Sequence, residues 1–84
     1  MIETLYLDNQ TFITQTPTNT FVRIIGIDAG GLEKTHLAQM GLVIGTPVRV
    51  LRNRQNEPIL ITLRNSKLIL GRKLASKIQV SDNQ

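Results

Sequence analysis

The sequence predicts a mostly β fold with short helices: a small, closed or nearly closed barrel with one amphipathic helix set into it. Three observations predict it. From residue 48 onward, apolar residues alternate with polar ones in short runs separated by polar turns. Only residues 32–40 space their apolar positions as a helix of any length does. And 84 residues, of which 40% are apolar, provide for one compact core and no second domain.

The first 20 residues hold six threonines and form the least decided part, expected to be an N-terminal extension to a domain spanning residues 21–84. Within it, "TLYL" (Thr4–Leu7) and "TFIT" (Thr11–Thr14) are each short enough for a strand, and "QTPTNT" is a turn or loop. "FVRIIGI", Phe21–Ile27, is rich in β-branched residues and predicts a strand buried on both faces. "DAGG" breaks it, with Asp28 the candidate cap of the helix that follows. Leu32, Leu37 and Met40 supply that helix with its apolar side, and Lys34 and Gln39 lie between them.

Gly41 stands where a helix ends most easily, because glycine supplies a positive φ without a Cβ penalty. Leu42 can then fold back onto the apolar side. Gly45 and Pro47 turn the chain into the next strand, with proline placed where it need not donate to a ladder. In "PVRVLRNR", Val48 and Val50 point one way and Arg49 the other. Leu51 breaks the alternation, which marks a bulge or a two-sided position.

"ILITLR" alternates cleanly, with Ile59, Ile61 and Leu63 on one face and Leu60, Thr62 and Arg64 on the other. "RNSK" is the next turn and "KLIL" the next strand. A single helical turn is expected near residues 72–76, before a last strand carrying Ile78 and Val80. The predicted core is Ile25, Leu37, Met40, Val48, Val50, Ile59, Ile61, Leu63, Leu70, Ile78 and Val80.

Composition excludes several kinds of chemistry. There is no cysteine, hence no disulfide, zinc knuckle, iron–sulfur cluster or thiol nucleophile. No apolar run approaches the ~18 residues of a membrane span, and "MIETLYLDNQ" lacks the basic start of a signal peptide, so a cytoplasmic protein is expected. "AGGLEKT" is not a phosphate-cradling loop, and no nucleophile–base pair is evident, so no enzyme is expected. His36 stands near Glu33 on the helix, but two groups do not complete a metal site, so no metal ligand and no cofactor are assigned.

Charge is divided unevenly. Residues 1–48 carry two cations against four carboxylates, a net −2, whereas residues 49–84 carry eight against two, a net +6. If residues 48–54 and 59–64 pair as a hairpin, Arg49, Arg52, Arg54 and Arg64 lie on neighbouring strands. They would form a cationic strip suited to carboxylates on a protein or to anionic headgroups. The rival reading of this charge is a nucleic-acid-binding small barrel of the Sm-like or ribosome-associated kind. Against it, the only aromatics are Tyr6, Phe12 and Phe21, all outside the basic half, whereas single-strand binders interleave rings with cations.

"LAQMGLVIGTPVRVL" followed by "EPILITLRNSKLILGRKLASKIQV" resembles the FeoA family of bacterial ferrous iron transport. The likeness covers roughly residues 21–80 and includes the helix stop at Met40–Leu42 and the turn at Gly45–Pro47. It extends to a closing segment of Leu70, Gly71, Arg72, Ala75, Ile78 and Val80. Ile44 stands where that family usually has proline, and His36 where arginine or another polar residue is common. The resemblance implies an SH3-like barrel, similar also to the C-terminal domain of iron-dependent repressors. It implies a non-enzymatic accessory role in iron homeostasis, through protein–protein contact with the membrane transporter FeoB at its cytosolic side. A weak transition-metal association would accord with that family; neither nucleic acid nor insertion into the membrane is expected.

Overall fold

The computed structural model describes residues 10–81; the candidate strand Thr4–Leu7 lies outside them. Six strands form one antiparallel sheet: β1 (Gln10–Phe12), β2 (Thr20–Ile27), β3 (Pro47–Arg52), β4 (Ile59–Leu63), β5 (Ser66–Leu70) and β6 (Ile78–Ser81). Their spatial order is β1-β6-β2-β3-β4-β5. Helix α1 (Gly31–Gln39) joins β2 to β3, and the single-turn helix α2 (Arg72–Ala75) joins β5 to β6. Among the described residues the sheet is not closed by hydrogen bonds, since β1 and β5 are its two edges. Of the closed or nearly closed barrel expected, the fully closed form is not the one found.

Alternation decides which side of each strand is dry. Ile59, Ile61 and Leu63 of β4, Val48 and Val50 of β3, and Ile78 and Val80 of β6 all point into one core. Leu37 from α1, Leu70 from β5 and Ala75 from α2 complete it. β2 departs from the expectation of burial on both faces: Val22 and Ile24 are buried while Phe21 and Arg23 are exposed. Past Ile24 the pairing with β6 slips, Ile24 facing Val80 and Gly26 facing Gln79. Ile25 is therefore the extra residue of a bulge and only half-buried, and Ile24 takes the core place expected of it. Ile13, in a 3-10 turn (Ile13–Gln15) directly after β1, is fully buried as well.

The passage from helix to strand has the form that its glycines predict. The Leu42 amide donates to the Leu37 carbonyl at 2.9 Å and the Gly41 amide to the Ala38 carbonyl at 2.9 Å, with Gly41 at φ 90°. This is a Schellman stop, and Leu42 folds back to full burial. At the other end the cap is Gly30, in extended backbone and without a side-chain hydrogen bond, so Asp28 does not cap the helix. Nor is the helix amphipathic in the expected sense. Only Leu37 is buried, Met40 leans partly against the core, and Leu32 is 87% exposed.

One side-chain hub fastens the opposite end of the sheet. The Arg72 guanidinium donates to Asn53 Oδ1 at 3.0 Å, to the carbonyls of Arg54 and Glu57 at 2.9 Å each, and to that of Thr14 at 3.4 Å. Asn53 Nδ2 in turn donates to the carbonyls of Thr14 and Thr16, at 3.0 and 2.8 Å. Nη1 makes the first three of these contacts and Nη2 the one to Thr14, so the guanidinium ties α2, the β3–β4 loop and the 3-10 segment together.

Candidate functional site

The strands place a cationic lattice on the outer face of the sheet. Phe21 lies opposite Arg49, Arg49 opposite Thr62, and Thr62 opposite Lys67, one row across four strands. On one side of that row come Arg52, Leu60 and Ile69, and on the other Arg23 and Pro47, with Arg64 in the β4–β5 turn. Arg49 and Arg52 are three apart and would point to opposite faces of a regular strand. The shift in β3 pairing between Val50 and Arg52 absorbs Leu51 as a bulge and brings both arginines to the outer face.

Of the four arginines singled out by the sequence, Arg49 and Arg64 line the same shallow cleft, with Phe21, Pro47, Val48 and Thr62, a space of about 190 Å³. Arg52 extends the face beside Leu60. Arg54 stands apart, in the loop after β3, where its backbone carbonyl is held by Arg72. Arg49 is fixed in place: its Nη2 donates to Asn19 Oδ1 at 3.2 Å and its guanidinium carbon lies 5.3 Å from the Phe21 ring centroid. That distance is within the range of a cation–π contact. Its Nε is buried and has no acceptor among the described residues.

Sequence reasoning about the basic half left out Phe21, Arg23 and Lys67. Phe21 and Arg23 come from the acidic half of the chain and join the face only through the β2–β3 pairing. The alternation Phe21-out, Val22-in, Arg23-out, Ile24-in was the available signal.

A second surface lies beside α1. Leu32, Glu33, Thr35, His36 and Gln39 of the helix face Gly71, Lys73 and Leu74 across an open, largely apolar groove of about 730 Å³. The Lys77 ammonium donates to Glu33 Oε1 at 2.6 Å and ties the helix to the start of β6. That hydrogen bond holds the Glu33 carboxyl below the usual carboxylate range. Desolvation pushes the other way, and the charges of Lys77 and Lys73 add to the lowering. Glu33 is thereby engaged with Lys77 rather than presented with His36. Among the described residues no three His, Asp or Glu side chains come together as a metal-holding group, and no helix is long and apolar enough to cross a membrane.

Comparison with known proteins bears on the family and the fold. The FeoA domain model matches residues 13–82. A relative from Methanocaldococcus jannaschii, named "Putative Fe(2+) transport protein A", is 45% identical over 56 residues, 67% of either chain. The crystal structure of an iron uptake regulatory protein (FeoA) superposes with a TM-score of 0.82 at 22% identity, over 86% of this chain and 96% of that one. A manganese-dependent transcriptional repressor shares the fold at a TM-score of 0.80 and 20% identity, over 88% of this chain and 42% of its own. The SH3-like architecture is thus common to iron-transport proteins and metal-dependent repressors, and by its sequence from Ile13 to Asp82 this chain belongs to the FeoA domain family.

Proposed function

We propose that the protein is a non-enzymatic accessory of ferrous iron uptake that acts by contact with the FeoB membrane transporter at its cytoplasmic side. The family match over residues 13–82 carries this reading. The named iron-transport relative supports it. Of the basic strip, Arg49, Arg52 and Arg64 on the outer face are the surface we assign to the approach; Arg54 stands apart in the β3–β4 loop. Long cationic side chains on an exposed sheet face speed encounter with an anionic target and are screened over about 8 Å at physiological ionic strength.

The test is retention of the transporter from solubilised membranes on immobilised protein, at low and at high salt. The wild type should retain FeoB at low salt. Arg52→Glu with Arg64→Glu should release it while leaving the melting curve in place. Unchanged retention by a folded double variant would remove the strip; no retention by the wild type at either salt would remove the transporter.

The nucleic-acid reading has one observation in its favour, the Phe21 ring beside Arg49 on a cationic face. Proteins that bind single strands stack successive bases on several rings, and among the described residues this face carries one. A single-stranded RNA control in the same experiment decides it.

A further inference from the structure

The arginine strip is part of a larger face whose make-up points to its counter-surface. We infer that the outer face of β2–β5 is a peripheral docking surface for an anionic lipid bilayer, with Arg23, Arg49, Arg52, Arg64 and Lys67 over the headgroups and Phe21 and Ile69 entering between them. This deepens the reading above, on which it rests for its setting: a partner embedded in a membrane is met from the membrane surface.

Charge is the first argument. The described carboxylates are Asp28, after β2, Glu33, on α1, and Glu57, in the β3–β4 loop, so none stands on β2–β5, where Arg23, Arg49, Arg52 and Lys67 lie, or in the β4–β5 turn that holds Arg64. Among the described residues the face therefore presents one sign of charge over a width of three strand spacings, roughly 14 Å. Juxtamembrane cations are attracted to anionic headgroups in this arrangement without needing a matched geometry for each.

The second argument is the placing of apolar side chains. Phe21 on β2 is 64% exposed and Ile69 on β5 is 72% exposed. They stand at opposite sides of the same face, with Leu60 half-buried between. Two isolated apolar side chains ringed by cations are what a surface lying on the headgroup boundary needs: shallow apolar contacts within an attractive field. Phe21 is held by Arg49, so its ring is presented at little further loss of side-chain freedom.

The third argument is shape. The cleft on this face holds only about 190 Å³. The larger groove, of about 730 Å³, lies beside α1 instead. A linear peptide or a stacked strand asks for a channel or a series of rings, whereas a bilayer asks for an open face.

The chain contains no tryptophan, which supplies the assay. Phe21→Trp places a fluorophore on the face and Leu32→Trp places one on α1, away from it. With vesicles of phosphatidylcholine and phosphatidylglycerol at low salt, Phe21→Trp emission should shift to the blue and Leu32→Trp emission should not. Neither should shift with phosphatidylcholine alone.

Sedimentation with the same vesicles should show Arg52→Gln with Lys67→Gln lowering partitioning about 25-fold, from about fivefold per cation removed. Neither side chain makes a hydrogen bond or ion pair among the described residues, so both variants should fold. With the sedimentation run at about 0.1 M salt, where the Debye length is about 10 Å, Lys34→Gln on α1 should stay within about twofold.

Equal binding to neutral vesicles, a blue shift at Leu32→Trp alone, or indifference to the Arg52/Lys67 pair would overturn the inference. So would tighter binding to single-stranded RNA than to anionic vesicles, or to a soluble acidic peptide. The vesicles contain no protein, so vesicle binding without transporter retention would remove only the transporter. Transporter retention in detergent without vesicle binding would remove only the lipid.

Discussion

Gly41 and Gly45 provide a paired test of how α1 is fixed to the sheet. Both are at positive φ, 90° and 98°. A Cβ built on Gly45 meets nothing within 4 Å, whereas one built on Gly41 lies 2.9 Å from Leu63 Cδ2. Gly45→Ala therefore carries only the backbone cost of an L-residue in the left-handed region, about 1–2 kcal/mol. Gly41→Ala carries the same cost and must also displace Leu63, which is packed in the core. Overpacking of that kind costs about 1–3 kcal/mol more, for a total of about 2–5 kcal/mol. Equilibrium urea denaturation reads both variants, provided the denaturant slope is unchanged. Equal losses would refute the contact with Leu63. A loss below about 1 kcal/mol at Gly41 would refute the strained helix stop itself.

Three further outcomes are expected. Ile61→Ala, at a fully buried position of β4, should cost about 2–5 kcal/mol in the same denaturation experiment. Arg72→Ala should cost about 1–3 kcal/mol by stranding the acceptors of its hub, and Arg72→Lys should recover only part of that, because the shorter side chain reaches the three acceptors of Nη1 less well and has no second nitrogen for Thr14. The Glu33 carboxyl has its pKa lowered on folding, so its link to Lys77 is fully present above the unfolded value of about 4.3 and is lost as pH falls through the lower folded value. Thermal melts of wild type and Glu33→Gln should thus differ by a constant amount from mild acid to neutrality and converge only in stronger acid.

The parts of the fold that the sequence made legible are those decided by near neighbours. β4 follows from the alternation of Ile59, Ile61 and Leu63, and the helix stop from Gly41 followed by Leu42. The bulge at Leu51 follows from a broken alternation, and the turn of α2 from "GRKLASK". What was not legible depends on partners far along the chain. Ile25 and Ile24 are equivalent by type, and only the slip of β2 against β6 near Gln79 selects Ile24 for the core. Ile13 is flanked by Phe12 and Thr14 with no period to mark it, and its burial comes from the 3-10 turn that follows β1.

The spacing of Leu32 to Leu37 suggests one apolar stripe, whereas the core reaches only Leu37 and part of Met40 and leaves Leu32 exposed. At the candidate site the same division holds. The nearness of Arg49 to Arg64 is a property of one hairpin. Phe21 and Lys67 join them only because β2 and β5 flank that hairpin in the sheet.

The two surfaces also differ in how their order is maintained. A nine-residue helix is too short to be stable alone in water, so α1 owes its order to what holds it. Those fastenings are the Lys77 link near its start, the buried Leu37 in its last turn and the Schellman stop at its end. None of them uses Leu32 or His36, which leaves these residues free of any folding role visible among the described contacts. The outer face of the sheet is the reverse case: its side chains alternate with the core residues of the same strands, so their spacing is as rigid as the core itself. A charged surface built this way keeps its lattice of cations without spending side-chain order on each one. That is a property useful for meeting a broad anionic surface and of little use for closing around a single small ligand.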